Sequence, residues 1–261
     1  MLNVKSISAG YGKEIITDIS LSVGNGELVG ILGPNGCGKT TLIKSVSGVI
    51  KPKSGLVEVD GKNITNLSAR KKALYISTLS QRLYAVSGFT ASDIIETGLY
   101  ARSGIFGKIS DYEKGEIRKT ALSLGIEKLL NRDYSKLSEG QRQMVNLAAV
   151  AVQNTPVVLL DEPDSALDFN NVNMLFERIE SIVKESGKSA VAVLHNPALA
   201  LERCSKIFIM KNGRIVAETK KNDPSLEDKL KFIYPEIKTI KAGGNRIFCC
   251  SEKQVTSYDK N

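Results

Sequence analysis

Gly33-Pro34-Asn35-Gly36-Cys37-Gly38-Lys39-Thr40 is the stretch on which the reading of this chain turns. It follows the apolar run Leu28-Val29-Gly30-Ile31-Leu32 and precedes Leu42, Ile43 and Val46, which are spaced for one face of a helix. The order is therefore strand, glycine loop, helix. Glycines let backbone N–H groups turn inward around an anion, and a helix beginning near Lys39 aims further N–H donors and its positive dipole end at the same point. The GxxxxGK[ST] pattern makes Lys39 the point charge for the β and γ phosphates and Thr40 a hydroxyl ligand for Mg²⁺. The other loop positions, Gly33, Pro34, Asn35, Gly36, Cys37 and Gly38, complete the nucleotide cradle with Thr41. A purely structural glycine turn is the competing reading, and the flanking strand and helix weigh against it.

The bulk properties are those of a globular chain. With 261 residues it can bury a sizeable core as one large α/β domain or two closely joined lobes. No apolar run is long enough to span a bilayer, and Met1-Leu2-Asn3-Val4-Lys5 opens directly into a strand-like pattern without a signal peptide, so a cytoplasmic location is expected. The net charge is +8, but its densest groups, Arg70-Lys71-Lys72 and Lys220-Lys221, are short. They read as a solvated basic surface, and no nucleic-acid partner is expected. Cys37, Cys204, Cys249 and Cys250 lack metal-ligand spacing and fit reduced thiols. Cys37 lies inside the phosphate loop, where a thiol reagent would block nucleotide binding.

Strand-like alternation covers residues 2–8, Ile19 to Val23 and Glu27 to Leu32, and a further strand over Gly55 to Val59 ends in the Asp60-Gly61 turn. Tyr11, flanked by glycine, is placed either to stack on a flat ring such as adenine or to pack within its own loop. Leu74 to Leu79 reads as a buried strand, followed by Gln81. From about Ser87 the pattern turns helical, over Thr90 to Tyr100 and Asp111 to Leu124. Leu137-Ser138-Glu139-Gly140-Gln141 then opens an apolar helix that runs to about Gln153. Val157-Val158-Leu159-Leu160 is a continuous apolar strand of the kind covered on both faces, and it ends in Asp161-Glu162. A helix over Asn171 to Glu185 and a second buried strand, Ser189 to Leu194, lead to His195, the only histidine. Alternation of strand and helix requires a largely parallel sheet. A hairpin around Asn212-Gly213 follows, then a short helix within Pro224 to Ile233 and a strand pair around Gly243-Gly244.

Ligands of an open parallel sheet sit at the carboxyl ends of its strands, which brings Asp161, Glu162, Gln81 and His195 toward the phosphates. Asp161 suits Mg²⁺ through the ion's water shell, and Glu162 suits polarisation of an attacking water. A lone histidine after a buried strand is often a satisfied core residue. With a phosphate loop at the same sheet edge, contact with the γ phosphate becomes the better reading.

Gly33 to Thr40, Gln81, Leu137 to Gln141, Val157 to Glu162, Ser165-Ala166-Leu167-Asp168 and His195 occur in an order and spacing that resembles the ATP-binding-cassette ATPases, over roughly residues 1–218. The Leu-Ser-x-Gly-Gln signature is the discriminating motif. The resemblance implies an α/β phosphate-loop NTPase core with a mostly parallel sheet, an N-terminal antiparallel β subdomain and an α-helical subdomain inserted at about 87–153. Residues 219–261 would form a short helix-plus-hairpin extension.

The resemblance also implies a head-to-tail dimer that sandwiches two ATP molecules. Ser138, Glu139, Gly140 and Gln141 of one copy would then face the phosphate loop of the other, and Asp168 would link the copies. Tyr11 matches the adenine-stacking aromatic, and Gln81 matches the residue that senses Mg²⁺ and the attacking water. Glu139 stands where glycine is commoner, tolerable if it points away from the phosphate, and Asp164 stands where threonine is frequent.

Without membrane segments, a chain of this kind would dock on a polytopic permease. Thr90 to Arg102 resembles the importers of metal chelates such as ferric siderophores, haem and cobalamin, which also work with an external substrate-binding protein. A soluble cassette ATPase of iron–sulfur cluster assembly would share every motif.

Overall fold

The structure, a computed structural model, describes residues 1–80, 87–104, 109–165, 167–242 and 245–250. Its centre is a six-stranded sheet in the order β10-β9-β3-β8-β7-β6. These strands are β3 (Leu28–Leu32), β6 (Ile76–Leu79), β7 (Val157–Asp161), β8 (Ser189–Val193), β9 (Lys206–Lys211) and β10 (Arg214–Thr219). β9, β3, β8, β7 and β6 run parallel, and only the edge strand β10 is antiparallel to its neighbour. Every residue of β3, β7 and β8 is buried. The reason is that this sheet is covered on both sides, so successive side chains, which point to opposite faces, all need apolar surroundings.

The alternation separates two cores. Val157, Leu159, Val191, Val193, Phe208 and Met210 face one way, against α1 (Lys39–Ser47) and a second sheet. That sheet has the order β2-β1-β4-β5 and is antiparallel, built from β1 (Leu2–Ala9), β2 (Ile16–Val23), β4 (Ser54–Val59) and β5 (Lys62–Asn63). Val158, Leu160, Ala190, Ala192, Ile207 and Ile209 face the other way. They meet α6 (Glu139–Gln153), α7 (Phe169–Glu185), α8 (Pro197–Arg203) and α9 (Leu226–Leu230). Each fully buried Val, Leu, Ile, Phe or Met side chain among these contributes roughly 1.5–3 kcal/mol, so the two cores dominate the stability of the fold.

The remaining elements are α2 (Ala69–Lys72), α3 (Ala91–Glu96), α4 (Tyr100–Ser103), α5 (Asp111–Ser123) and the hairpin β11 (Ile237–Ala242) with β12 (Asn245–Cys250).

Two boundaries and the surroundings of one lysine are among the differences from the sequence reading. β6 begins at Ile76, because residues 73–75 turn out of α2 and leave Leu74 43% exposed. The helix expected over Thr90 to Tyr100 tightens to a 3₁₀ turn at Thr97–Leu99. Gly98 is there pressed against α6 so closely that a Cβ would lie 2.1 Å from the Ala149 carbonyl oxygen. Lys72, read as solvated, is instead buried across the C-terminus of α1, beside Gly48. That end carries the negative pole of the helix and favours a cation, while burial pushes the Lys72 pKa down.

Candidate active site

The strand order creates the site. β8 lies between β3, which leads into the glycine loop, and β7, which ends at Asp161. The residues just beyond three adjacent parallel strands therefore emerge side by side, at the edge where such sheets bind ligands.

The loop leaves β3 at Gly33 and enters α1 at Lys39, with Gly36 and Gly38 at φ +77 and +107. Those values exclude most side chains, and at Gly38 a Cβ would also lie 2.7 Å from Ile16 Cγ2. The β9–β10 turn supports the loop from below. Asn212 and Gly213, both at positive φ, form the tight turn expected of an Asn-Gly pair, and Gly213 N–H donates to the Cys37 carbonyl at 3.0 Å. Lys39 is 5% exposed and donates through Nζ to the carbonyls of Gly33 at 2.8 Å and Pro34 at 3.1 Å, which folds the loop around its side chain.

Thr40 Oγ1 donates to Asp161 Oδ1 across 3.3 Å. Burial, and then the neighbouring Glu162 charge, push the Asp161 carboxyl above its usual pKa, opposed by the Thr40 hydrogen bond and by Lys44 and Lys39. A carboxylate under that pressure gains most from a bound cation. One hydroxyl and one carboxylate at the loop, with phosphate oxygens and water filling the other positions, suit Mg²⁺, which keeps several waters and takes few protein ligands. The residues present therefore fit the ion. Among the described residues no cluster of three or more His, Cys, Asp or Glu forms a self-sufficient metal site.

At Glu162 the chain leaves β7 through a left-handed conformation, φ +52, which a non-glycine residue adopts at some energetic cost. Glu162 N–H donates to the Val193 carbonyl at 3.2 Å, and its own carbonyl accepts from Ser165 N–H and Oγ. The turned backbone places Oε1 2.7 Å from His195 Nε2, an ordinary N–H···O⁻ contact that the neutral imidazole can make. His195 itself is held between β8 and the start of α8. Asn196 caps that helix by accepting from the N–H groups of Ala198 and Leu199, and Pro197 occupies its first turn.

The phosphate loop, Glu162 and His195 share one cleft of about 510 Å³. Asn35, Gly36, Gly38, Lys39, Thr40 and Thr41 line it from the loop, and Glu162 and His195 line it from the strands alongside. Gly33, Cys37 and Asp161 are buried and Pro34 is exposed, and none of the four is among the lining residues. The Cys37 thiol is buried, and burial pushes its pKa up, so attack by a thiol reagent at neutral pH is disfavoured, against the expectation from its position in the loop. Ile15, which sequence reasoning missed, lines the cleft. Tyr11 is 59% exposed and is not among its lining residues. Ile15 directly precedes the first residue of β2 and reads as the start of that strand, so its pattern carries no signal of the cleft. Gln81 lies outside the described residues.

The signature residues stand elsewhere. Ser138 caps α6: its Oγ accepts from Gln141 N–H at 3.3 Å, while Gln141 Oε1 accepts from Ser138 N–H at 3.1 Å. The Ser138 hydroxyl hydrogen can still be donated outward. Glu139 turns aside to pair with Arg142 at 2.8 Å. None of Ser138, Glu139, Gly140 and Gln141 is among the described residues lining the cleft of their own chain. Asp168 caps α7, accepting from Asn171 N–H at 2.9 Å, and Asn171 also packs against Gly140.

Asp164 is less well satisfied. Its Oδ1 is buried without a hydrogen-bond partner, and burial pushes its pKa up. A carboxyl whose folded pKa exceeds its unfolded value supports folding at low pH and loses that contribution as pH rises between the two values. Asp164→Asn should therefore raise Tm at pH 7 relative to the parent, with the gain shrinking toward about pH 4, near the unperturbed Asp value. Thermal melts across that range provide the check, and a gain that does not change with pH would rule this explanation out.

A phosphate loop, an acidic strand end and a Glu–His pair on one parallel sheet define a nucleoside-triphosphate-hydrolysing domain of the phosphate-loop class. Residues 16–165 match the family model for ABC transporters, and the chain belongs to that family. It is 30% identical over 218 residues to the ferric enterobactin transport ATP-binding protein FepC of Escherichia coli, covering 83% of this chain and 80% of the relative. It is 29% identical over 234 residues to the iron(3+)-hydroxamate import ATP-binding protein FhuC of Bacillus subtilis, covering 89% and 87%. A solved inward-facing ABC transporter described as of metal-chelate type superposes with a TM-score of 0.80 at 20% identity, over 95% of each chain, which establishes likeness of fold. The chain is accordingly an ATPase. Among the described residues, no helix is long and apolar enough to cross a membrane.

Proposed function

We propose that this chain is the ATP-hydrolysing subunit of an importer for metal chelates of the iron-siderophore, haem or cobalamin type. It would act as a pair of copies on the cytoplasmic face of a polytopic permease supplied by an external substrate-binding protein. The observation that carries the reading is the Glu162–His195 pair at 2.7 Å beside the phosphate loop, in a chain similar along most of its length to iron-chelate import ATPases.

In this reading Lys39 and the loop N–H groups bind the β and γ phosphates. Thr40, Asp161 and Gln81 hold Mg²⁺, which when bound screens charge on the phosphates. Glu162 accepts a proton from the attacking water, and His195 orients Glu162 and the γ phosphate. Ser138 and Gly140 of the second copy close the site, Asp168 couples the copies, and Tyr11 and Ile15 meet the base. Residues 1–218 form the cassette, with 87–153 as its helical subdomain and 219–261 as an extension.

Copurification tests the transport reading. The tagged chain should be recovered in detergent with a protein of about ten apolar spans, counted at about 20 residues each. Recovery of a detergent-independent complex with soluble partners alone would overturn it in favour of a soluble cassette ATPase.

A further inference from the structure

The extension reaches the site. Tyr234 follows α9, and its phenol O–H donates to the His195 carbonyl oxygen at 2.9 Å. We propose that Tyr234 is a positioning residue for ATP hydrolysis, fixing the backbone of His195 so that the imidazole stays against Glu162. The inference rests on the role given to His195 above.

Two observations make the hydroxyl a fixed point. Leu226 and Leu230 are fully buried, and Ile233 and Ile237 nearly so, in the same core as Leu194, Leu199 and Ala200. Tyr234 is also tied through its main chain, its N–H donating to the Leu230 carbonyl at 2.8 Å and its carbonyl accepting from Ile237 N–H at 3.1 Å. The His195 side chain, in contrast, is 39% exposed at the edge of the cleft, so close packing around the ring does not by itself hold it. Its orientation depends on its backbone, which Leu194 N–H holds from one side through the Ile31 carbonyl, and Asn196 from the other through its cap. Tyr234 supplies a third attachment, on the His195 carbonyl itself. Tyr234 is not among the residues lining the cleft, so its route to the reaction is the His195 backbone.

Tyr234→Phe keeps the ring and removes the hydrogen bond. In the full-length chain with MgATP we expect kcat to fall about fivefold while KM for ATP stays within about twofold, since the γ-phosphate geometry is affected and the loop is not. In a His195→Ala background the same substitution should cause no further loss in single-turnover hydrolysis. Val183→Ala, which loosens the same core beside the start of β3 and away from Tyr234, should lower Tm and leave kcat within about twofold at 25 °C.

An unchanged kcat in Tyr234→Phe, an undiminished loss in the His195→Ala background, or an equal loss in Val183→Ala would each overturn the proposal. A parent chain without ATPase activity, or one in which His195→Ala keeps full activity, would instead overturn the functional reading beneath it.

Discussion

Glu162→Gln is expected to lower steady-state ATP hydrolysis by about 10²- to 10⁴-fold, the range associated with loss of a positioned general base. The substitution is nearly isosteric. Glu162 sits at φ +52 with its carboxylate 13% exposed, and an amide can occupy the same turn and still accept from His195 Nε2. What disappears is the ability to take a proton from water. ATP affinity should stay within a few-fold of the parent, because the loop, Lys39 and Thr40 are untouched. With turnover blocked, the ATP-bound pair of copies should accumulate and elute as a dimer when MgATP is present. Hydrolysis at the parental rate would remove Glu162 from the role of base.

Lys39→Ala should act one step earlier. Lys39 Nζ is enclosed by the loop it serves, 2.8 Å from the Gly33 carbonyl oxygen and 3.1 Å from that of Pro34, so its removal deletes a charge and also unties the cradle. A charge-assisted contact is worth roughly 1.5–3 kcal/mol, so ATP binding should weaken by about 10- to 100-fold, with hydrolysis falling along with it. Equilibrium binding of a fluorescent ATP analogue measures this directly. Unchanged affinity would show that the lysine does not engage the phosphates.

The phosphate loop, the acidic strand end and the signature helix could be read from the sequence because each rests on local chemistry: a glycine pattern, a continuous apolar strand, a capping serine. The course of the main sheet was legible in kind, since β3, β7 and β8 are built on short, largely apolar runs without polar alternation. Their order was not legible, because the insertion of β8 between β3 and β7 depends on pairings between residues far apart in the chain, and that insertion is what sets His195 beside Glu162.

Ile15 and Tyr234 were missed for the same reason: an isoleucine directly before a strand and a tyrosine after a short helix look like packing residues until the fold brings them to the site. Lys72 was misread as solvated because a run of three basic residues looks alike whether or not its last member covers a helix end. The unpaired Asp164 oxygen is a property of its surroundings, which no motif encodes.

The central claim is that each cleft is half a site, completed by the Ser138 segment of a second copy. Mixing two defective chains tests it most directly: Lys39→Ala, with a disabled loop and an intact signature, and Ser138→Glu, with an intact loop and a repulsive signature. Each alone should be nearly inactive. At equal amounts about half of the dimers are mixed, and each of these holds one complete site, so activity should recover to about a quarter of the parental value. Activity no higher than the average of the two chains assayed separately would contradict the composite site.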